Sequence, residues 1–224
     1  MNADDFGSCS GVNRGIAEAH ARGIVTSTSL MVGRPASEEA ALVARAFPAL
    51  SVGLHASFED ERRQPLADLS DPGACRAALD EQLLRFTDLL GRPPTHLDSH
   101  HHVHARRSLL PHFWEVAERC GIPLRECSGV RYCSRFYGQW AGEHHPEQVS
   151  AASLIRILET DTADGITELA CHPGYADPDL SSSYAIEREL ELRTLSDARV
   201  RRYLDRRGIV LVGFRQVARL LAPA

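Results

Sequence analysis

No apolar run in this chain of 224 residues approaches the roughly 18 that a membrane span requires, so no integral membrane segment is expected. The opening Met1-Asn2-Ala3-Asp4-Asp5 lacks the basic and apolar regions of a secretion signal. Cysteine pairs of the Cys-x-x-Cys kind are missing too. Cys9, Cys75, Cys120, Cys127, Cys133 and Cys171 are scattered, which predicts reduced thiols in a cytoplasmic protein rather than a disulfide framework or a cysteine zinc site. A clustered basic face is absent: the net charge is -5, and the arginines near Arg199–Arg207 are interrupted by Asp197 and Asp205, as on a solvated helix face. No nucleic-acid partner is expected. The chain also lacks an internal repeat, a low-complexity tract and the glycine-rich phosphate loop that an open doubly wound sheet usually carries.

What is there is ordinary for a soluble globular chain, 43% hydrophobic and 25% charged, and long enough for one sizeable domain over residues 1–224. Strand-like and helix-like stretches alternate. Helices are expected over Gly11–Arg22 with a stop at Gly23, Ser37–Phe47 with Ser37 as its cap, Asp71–Leu90, Leu109–Cys120, Val149–Glu159 and within Ile186–Arg206. Strands are expected over Ile24–Val32, Ser51–Phe58, Thr95–His104, Pro123–Cys127, Ile166–His172 and Ile209–Phe214. This order predicts an α/β fold: a single (β/α) barrel-like domain with a mainly parallel sheet. Only three residues precede the Asp4-Asp5 pair, so the N-terminal strand is expected to be distorted or incomplete, a stub if the true start does not lie upstream.

Four segments concentrate metal-type ligands: Asn2-Ala3-Asp4-Asp5-Phe6-Gly7, Gly53-Leu54-His55, Thr95-His96-Leu97-Asp98-Ser99-His100-His101-His102-Val103-His104, and Ala170-Cys171-His172-Pro173-Gly174. Each falls at or near an expected strand end, where barrel enzymes assemble their sites. On a strand His96, Asp98, His100, His102 and His104 would share one face, poor core material unless something pairs with those polar groups. A metal held by one carboxylate and two imidazoles would do so and leave positions open for water and substrate. Each segment alone has a plainer reading. Asp4-Asp5 could cap a helix, His55 could be a hydrogen-bonded core histidine, the histidine run a surface tract, and His172 could close a turn. Their conjunction at four strand ends argues for the metal. Among the few aromatics, Phe136, Tyr137, Trp140 and Tyr175 fall in expected loops, where they could stack on a ligand ring or cap a hydrophobic edge.

These four blocks, together with Gly23-Ile24-Val25-Thr26-Ser27-Thr28-Ser29-Leu30, resemble the signature segments of the YdjC-like carbohydrate deacetylases, and the likeness spans nearly the whole chain. The resemblance implies hydrolysis of the N-acetyl group of an amino sugar, an N-acetylglucosamine-type saccharide or glycoconjugate, by one catalytic domain. It implies a divalent metal on Asp5, His55 and His100, Asp4 as catalytic base, His172 as general acid and Arg125 as an orienting group near the base. The family points to Mg2+, whereas the donor set suits Zn2+. Asp98, on the expected face with His100, would fix that ring's tautomer. Two other readings remain: a different metal hydrolase acting on phosphate esters or cyclic amides, and a sugar-binding barrel without turnover. The sequence sets no oligomeric state; a homodimer is the commonest alternative to a monomer.

Overall fold

The structure, a computed structural model, describes residues 1–59, 64–162, 165–180 and 182–221. In chain order its elements are β1 (Asn2–Phe6), α1 (Ser10–Arg22), β2 (Ser27–Leu30), α2 (Ser37–Ala46), β3 (Ser51–Ala56), α3 (Pro72–Leu90), β4 (Leu97–Ser99) and α4 (Leu110–Cys120). There follow β5 (Arg131–Cys133), a ribbon of β6 (Gln139–Trp140) and β7 (Glu143–His144), α5 (Ala151–Asp161), β8 (Thr167–Cys171), α6 (Ile186–Leu195), α7 (Ala198–Arg207) and α8 (Phe214–Leu220). The expected alternation is there, with chemistry at the joints. Asp71 caps α3 by accepting from the backbone of Gly73 and Ala74, Pro72 opens it, and Gly91 ends it with a φ of 66°. Ser37 does not cap α2; the cap position is Ala36, which makes no side-chain bond there.

Six strands form one sheet in the order β4-β3-β2-β1-β8-β5, and every pairing is parallel. β1 is no stub. It is a five-residue strand, wholly buried, between β2 and β8. It is distorted, however: the register with β2 slips between Ala3 and Phe6.

The sheet is curled. β4 and β8 stand four places apart, which in a flat sheet would separate them by roughly 19 Å. Yet one guanidinium nitrogen, Arg125 Nη2, lies 2.7 Å from Asp98 Oδ2 on β4 and 2.6 Å from Glu168 Oε1 on β8. Only a half-barrel brings these two strands to one side chain. Beyond β4, the segment expected as a strand over Pro123–Cys127 contributes a single bridge, Leu97 to Leu124. It ends there because Glu126 turns back with a φ of 63° and Cys127 bonds to the carbonyl of Leu124.

Two more expectations fail for physical reasons. The strand expected over Thr95–His104 stops at Ser99 and passes into a 3-10 turn, His100–Ala105, in which His101 and His102 have left-handed φ values of 54° and 53°. Ile209–Phe214 reads as a strand, but its backbone bonds go to hydroxyls, to the Gln216 side chain and to the Leu204 carbonyl of α7. Thr26 Oγ1 donates to the Val212 carbonyl, while Ser27 Oγ and Ser51 Oγ accept from the backbone of Phe214 and Arg215. This anchors the start of α8 under the barrel, where the Phe214 ring stacks on His96 at 4.0 Å. The His96 ring in turn lies against the backbone of β3, where a Cβ on Gly53 would come within 2.5 Å of it.

Candidate functional site

The C-terminal ends of β1, β3, β4 and β8 carry the four sequence segments to one end of the half-barrel. Neighbouring residues on a regular strand point to opposite faces, so Asp4 and Asp5 should diverge. They do not, because Asp5 sits in the irregularity of β1 with a φ of 66°. Aspartate tolerates this left-handed backbone better than most residues, though at some cost. The distortion turns both carboxylates to the site.

Asp5 Oδ1 lies 3.5 Å from His55 Nε2 and 3.2 Å from His100 Nδ1, and the three residues each present a donor atom within 4.8 Å of the others. Asp5 Oδ1 is buried and makes no hydrogen bond, and neither does His100 Nε2. Unpartnered buried oxygens are rare in native structures. The other oxygen, Asp5 Oδ2, accepts from Arg188 Nη2 at 2.6 Å. Two imidazoles converging on an unsatisfied carboxylate oxygen fit a cation. The set of one carboxylate and two imidazoles is that of a catalytic zinc-type centre with open positions.

His55 and Asp98 are paired residues of β3 and β4. His55 Nδ1 donates to Asp98 Oδ1 at 2.7 Å, which leaves Nε2 bare toward Asp5. Asp98 therefore supports His55, not His100 as the strand pattern implied, because the chain turns immediately after Ser99. Asp98 Oδ2 accepts from Ser29 Oγ at 2.7 Å. With its hydrogen so used, Ser29 accepts from Asn2 Nδ2 and from His96 Nε2, and His96 Nδ1 accepts from Thr95 Oγ1. His96 is thus a neutral support below the site, its pKa pushed down to about 4 by burial.

Asp4 is gripped by Arg125, whose Nη1 and Nη2 each donate to one carboxylate oxygen at 2.8 Å, and by Asn2 Nδ2 at 2.7 Å. Burial favours the neutral acid, but the guanidinium outweighs it and holds Asp4 below the usual carboxylate range. Arg125 also bonds Asp98 and Glu168, itself buried to 2% exposure. Four buried carboxylates (Asp4, Asp5, Asp98, Glu168) face two guanidiniums (Arg125, Arg188), a local excess of negative charge. Without a cation, protons take up that excess. Burial lifts Glu168 to about 7, and the Asp98, Asp5 and Asp4 carboxylates overcome burial to raise His55 to about 10.

His172 follows β8 directly. Its ring meets Tyr137 and Tyr184 edge-on at 5.6 and 5.7 Å, and those two tyrosines stack on each other at 4.5 Å. Its Nδ1 is buried and unpartnered, and burial pushes the imidazole down to about 4. Its backbone N–H donates to Glu191 and its carbonyl accepts from Arg188 Nη1 at 3.4 Å, so the arginine that holds Asp5 also touches His172. Of the other aromatics, Phe136 is core, Tyr175 bonds Glu18 on α1, and Trp140 stacks on His145.

The structure thus unites Asp5, His55 and His100, and separately Asp4 and Arg125, with His172 joined through Arg188. Arg188 and Glu191 escaped sequence reasoning, which took Ile186–Arg206 for an ordinary helix. A signal was present: Arg188, Glu191, Leu192 and Leu195 recur at helical spacing and are all buried. Two charges in a core-facing stripe mark a site.

The chain matches the model of the YdjC-like protein family over residues 1–206. It is 35% identical to a carbohydrate deacetylase of Geobacillus stearothermophilus, across 98% of each chain. It is 34% identical to a chitooligosaccharide deacetylase of Salmonella paratyphi C, across 93% of this chain and 94% of the relative. Among solved structures, a candidate cellobiose-phosphate cleavage protein of Enterococcus faecalis superimposes with a TM-score of 0.84 and 26% identity, covering 96% and 97% of the two chains. A family 4 acetyl xylan esterase of Clostridium thermocellum, in complex with a cobalt ion, gives 0.58 at 13% identity over 98% and 89%.

Proposed function

Since this chain belongs to the YdjC-like protein family, we propose that it is a divalent-metal-dependent deacetylase that hydrolyses the N-acetyl group of an amino sugar and releases acetate. One observation carries the metal part of this reading: a buried carboxylate oxygen of Asp5 without a hydrogen-bond partner, approached by His55 and His100. The substrate part is supported by relatives that deacetylate carbohydrates and chitooligosaccharides. Asp5, His55 and His100 would hold the ion, and their donor chemistry favours zinc over magnesium. When bound, such an ion polarises an amide carbonyl and lowers the pKa of water at the site.

The protein's own groups divide the remaining work. Asp4, kept ionised and fixed by Arg125 and Asn2, accepts the proton of the attacking water. Arg125 touches no substrate atom in this scheme; it positions Asp4. His172 arrives neutral, and the negative charge that develops beside it during attack raises its proton affinity. Its unpartnered Nδ1 then takes up a proton from solvent and passes it to the departing amine, a poor leaving group without one, while the proton on Asp4 returns to solvent. Tyr137, 37% exposed beside His172, offers a face to the sugar ring. Among the described residues no helix is long and apolar enough to cross a membrane, and the six free cysteines fit a reducing cytoplasm.

The test is acetate release from N-acetylated mono- and disaccharides by metal-reconstituted protein, with and without chelator. Chelator-sensitive release with formation of a primary amine is the expected result. Turnover of phosphate esters in its place, or no turnover of any N-acetylated sugar, would overturn the reading.

A further inference from the structure

The turn His100–Ala105 carries a second pair of histidines that the centre on Asp5 does not use. His102, His104 and Glu126 each offer a donor atom, and these atoms lie within 4.8 Å of one another. His104 is fully buried. Its Nδ1 is engaged with Ser99 Oγ at 2.7 Å, so its free nitrogen is Nε2, and that atom is enclosed with no hydrogen-bond partner. Buried ring nitrogens normally find a partner in protein or water. His102 is steadied by the Tyr132 hydroxyl at 3.0 Å, and Glu126 is exposed, which gives the cluster an open side.

The backbone points the same way. Asp5 and Ala141 apart, the described non-glycine residues with positive φ are His101, His102 and Glu126. Two segments distant in sequence are therefore both bent into a conformation that persists only where the surroundings enforce it. Each bend serves to bring the pair of imidazoles and the carboxylate face to face.

We propose that His102, His104 and Glu126 form a second divalent-cation site, distinct from the one on Asp5, His55 and His100. Two imidazoles and a carboxylate suit zinc or cobalt and suit magnesium poorly. The exposed side leaves room for water to complete the coordination. The ion would clasp the turn that begins with His100 to the turn that begins with Arg125. It is thus a structural metal whose removal loosens two groups of the first centre, and it stands whether or not that centre hydrolyses amides.

The experiment is a metal count on the full chain, stripped with chelator, dialysed against micromolar Zn2+ and analysed by plasma mass spectrometry. Wild type is expected to hold two zinc ions per chain, and Glu126→Ala and His102→Gln one each. Glu126 lies at the surface, so its substitution leaves folding intact, which circular dichroism checks. Asp5→Asn is expected to hold one ion as well, by emptying the other site, and the Asp5→Asn/Glu126→Ala pair none. Cobalt reconstitution gives an independent readout: the visible absorption of wild type loses one component in Glu126→Ala and the other in Asp5→Asn. A single wild-type ion that Asp5→Asn abolishes, or an ion at this site that survives either Glu126→Ala or His102→Gln, overturns the site. Because Asp5→Asn leaves this ion in place, failure of the first centre would register separately.

Discussion

His55 and Asp98 face each other across β3 and β4 in parallel register, and the 2.7 Å bond between them dictates which nitrogen of His55 faces Asp5 and the proposed cation. Asp98→Ala removes the acceptor for Nδ1 and leaves Arg125 and Ser29 short of one partner. Metal affinity is expected to fall about 10–100-fold, the usual effect of losing a residue that orients a ligand. Titration calorimetry with Zn2+ measures it; unchanged affinity would detach Asp98 from the centre.

Asp4→Asn keeps the shape of the carboxylate and removes its basicity. The turnover number is expected to drop on the order of 10²–10⁴-fold, while the zinc count stays unchanged because Asp5 retains its position. Undiminished acetate release by this variant would refute Asp4 as the base.

Glu191 gives stability a pH dependence of unusual sign for a carboxylate. Burial outweighs its bonds from Tyr184 and the His172 backbone and lifts it from 4.5 to about 8. Between these values the folded chain holds a proton that the unfolded chain has released, so stability falls as pH rises from about 4.5 to about 8. Glu191→Gln still accepts from Tyr184 but cannot ionise. Its denaturation midpoint, measured across this range, should decline less steeply than wild type. A slope remains from Glu168, lifted to about 7, with the same sign.

Gly53→Ala would place a methyl group 2.5 Å from the His96 ring, which is pinned by Phe214, Ser29 and Thr95 and cannot retreat. Overpacking of this kind costs about 1–3 kcal/mol. Chemical denaturation reports it, and a variant as stable as wild type would mean that the ring moves.

Much of this was legible before any coordinates. The alternating pattern gave the parallel sheet, since helical and strand periods are local properties. The residues alone marked the four segments rich in ligand-type side chains, and the resemblance to the YdjC-like family then named Asp5, His55 and His100 among them. Other features depended on facts that no window of sequence contains. The bulge that turns Asp4 and Asp5 to one side arises from pairing with β2, and the stop at Ser99 arises from a turn whose left-handed residues are histidines rather than glycines. Ile209–Phe214 has the composition of a strand, but Thr26 and Ser27 offer it hydroxyls instead of a ladder. Arg188 was hidden because a charge on a helix is ordinarily solvated.

The place of β1 between β2 and β8 has a consequence for how the protein is made. Asn2 and Ala3 pair with Ala170 and Cys171, so β1 waits for a strand that is synthesised long after it. Until then one edge of β1 is bare, with two acidic side chains awaiting guanidiniums that arrive at positions 125 and 188. Such long-range closure is slow and exposes a sticky strand meanwhile. A nascent chain arrested before residue 167 should lack the protease resistance of the folded chain, because β1 then has no partner on the β8 side.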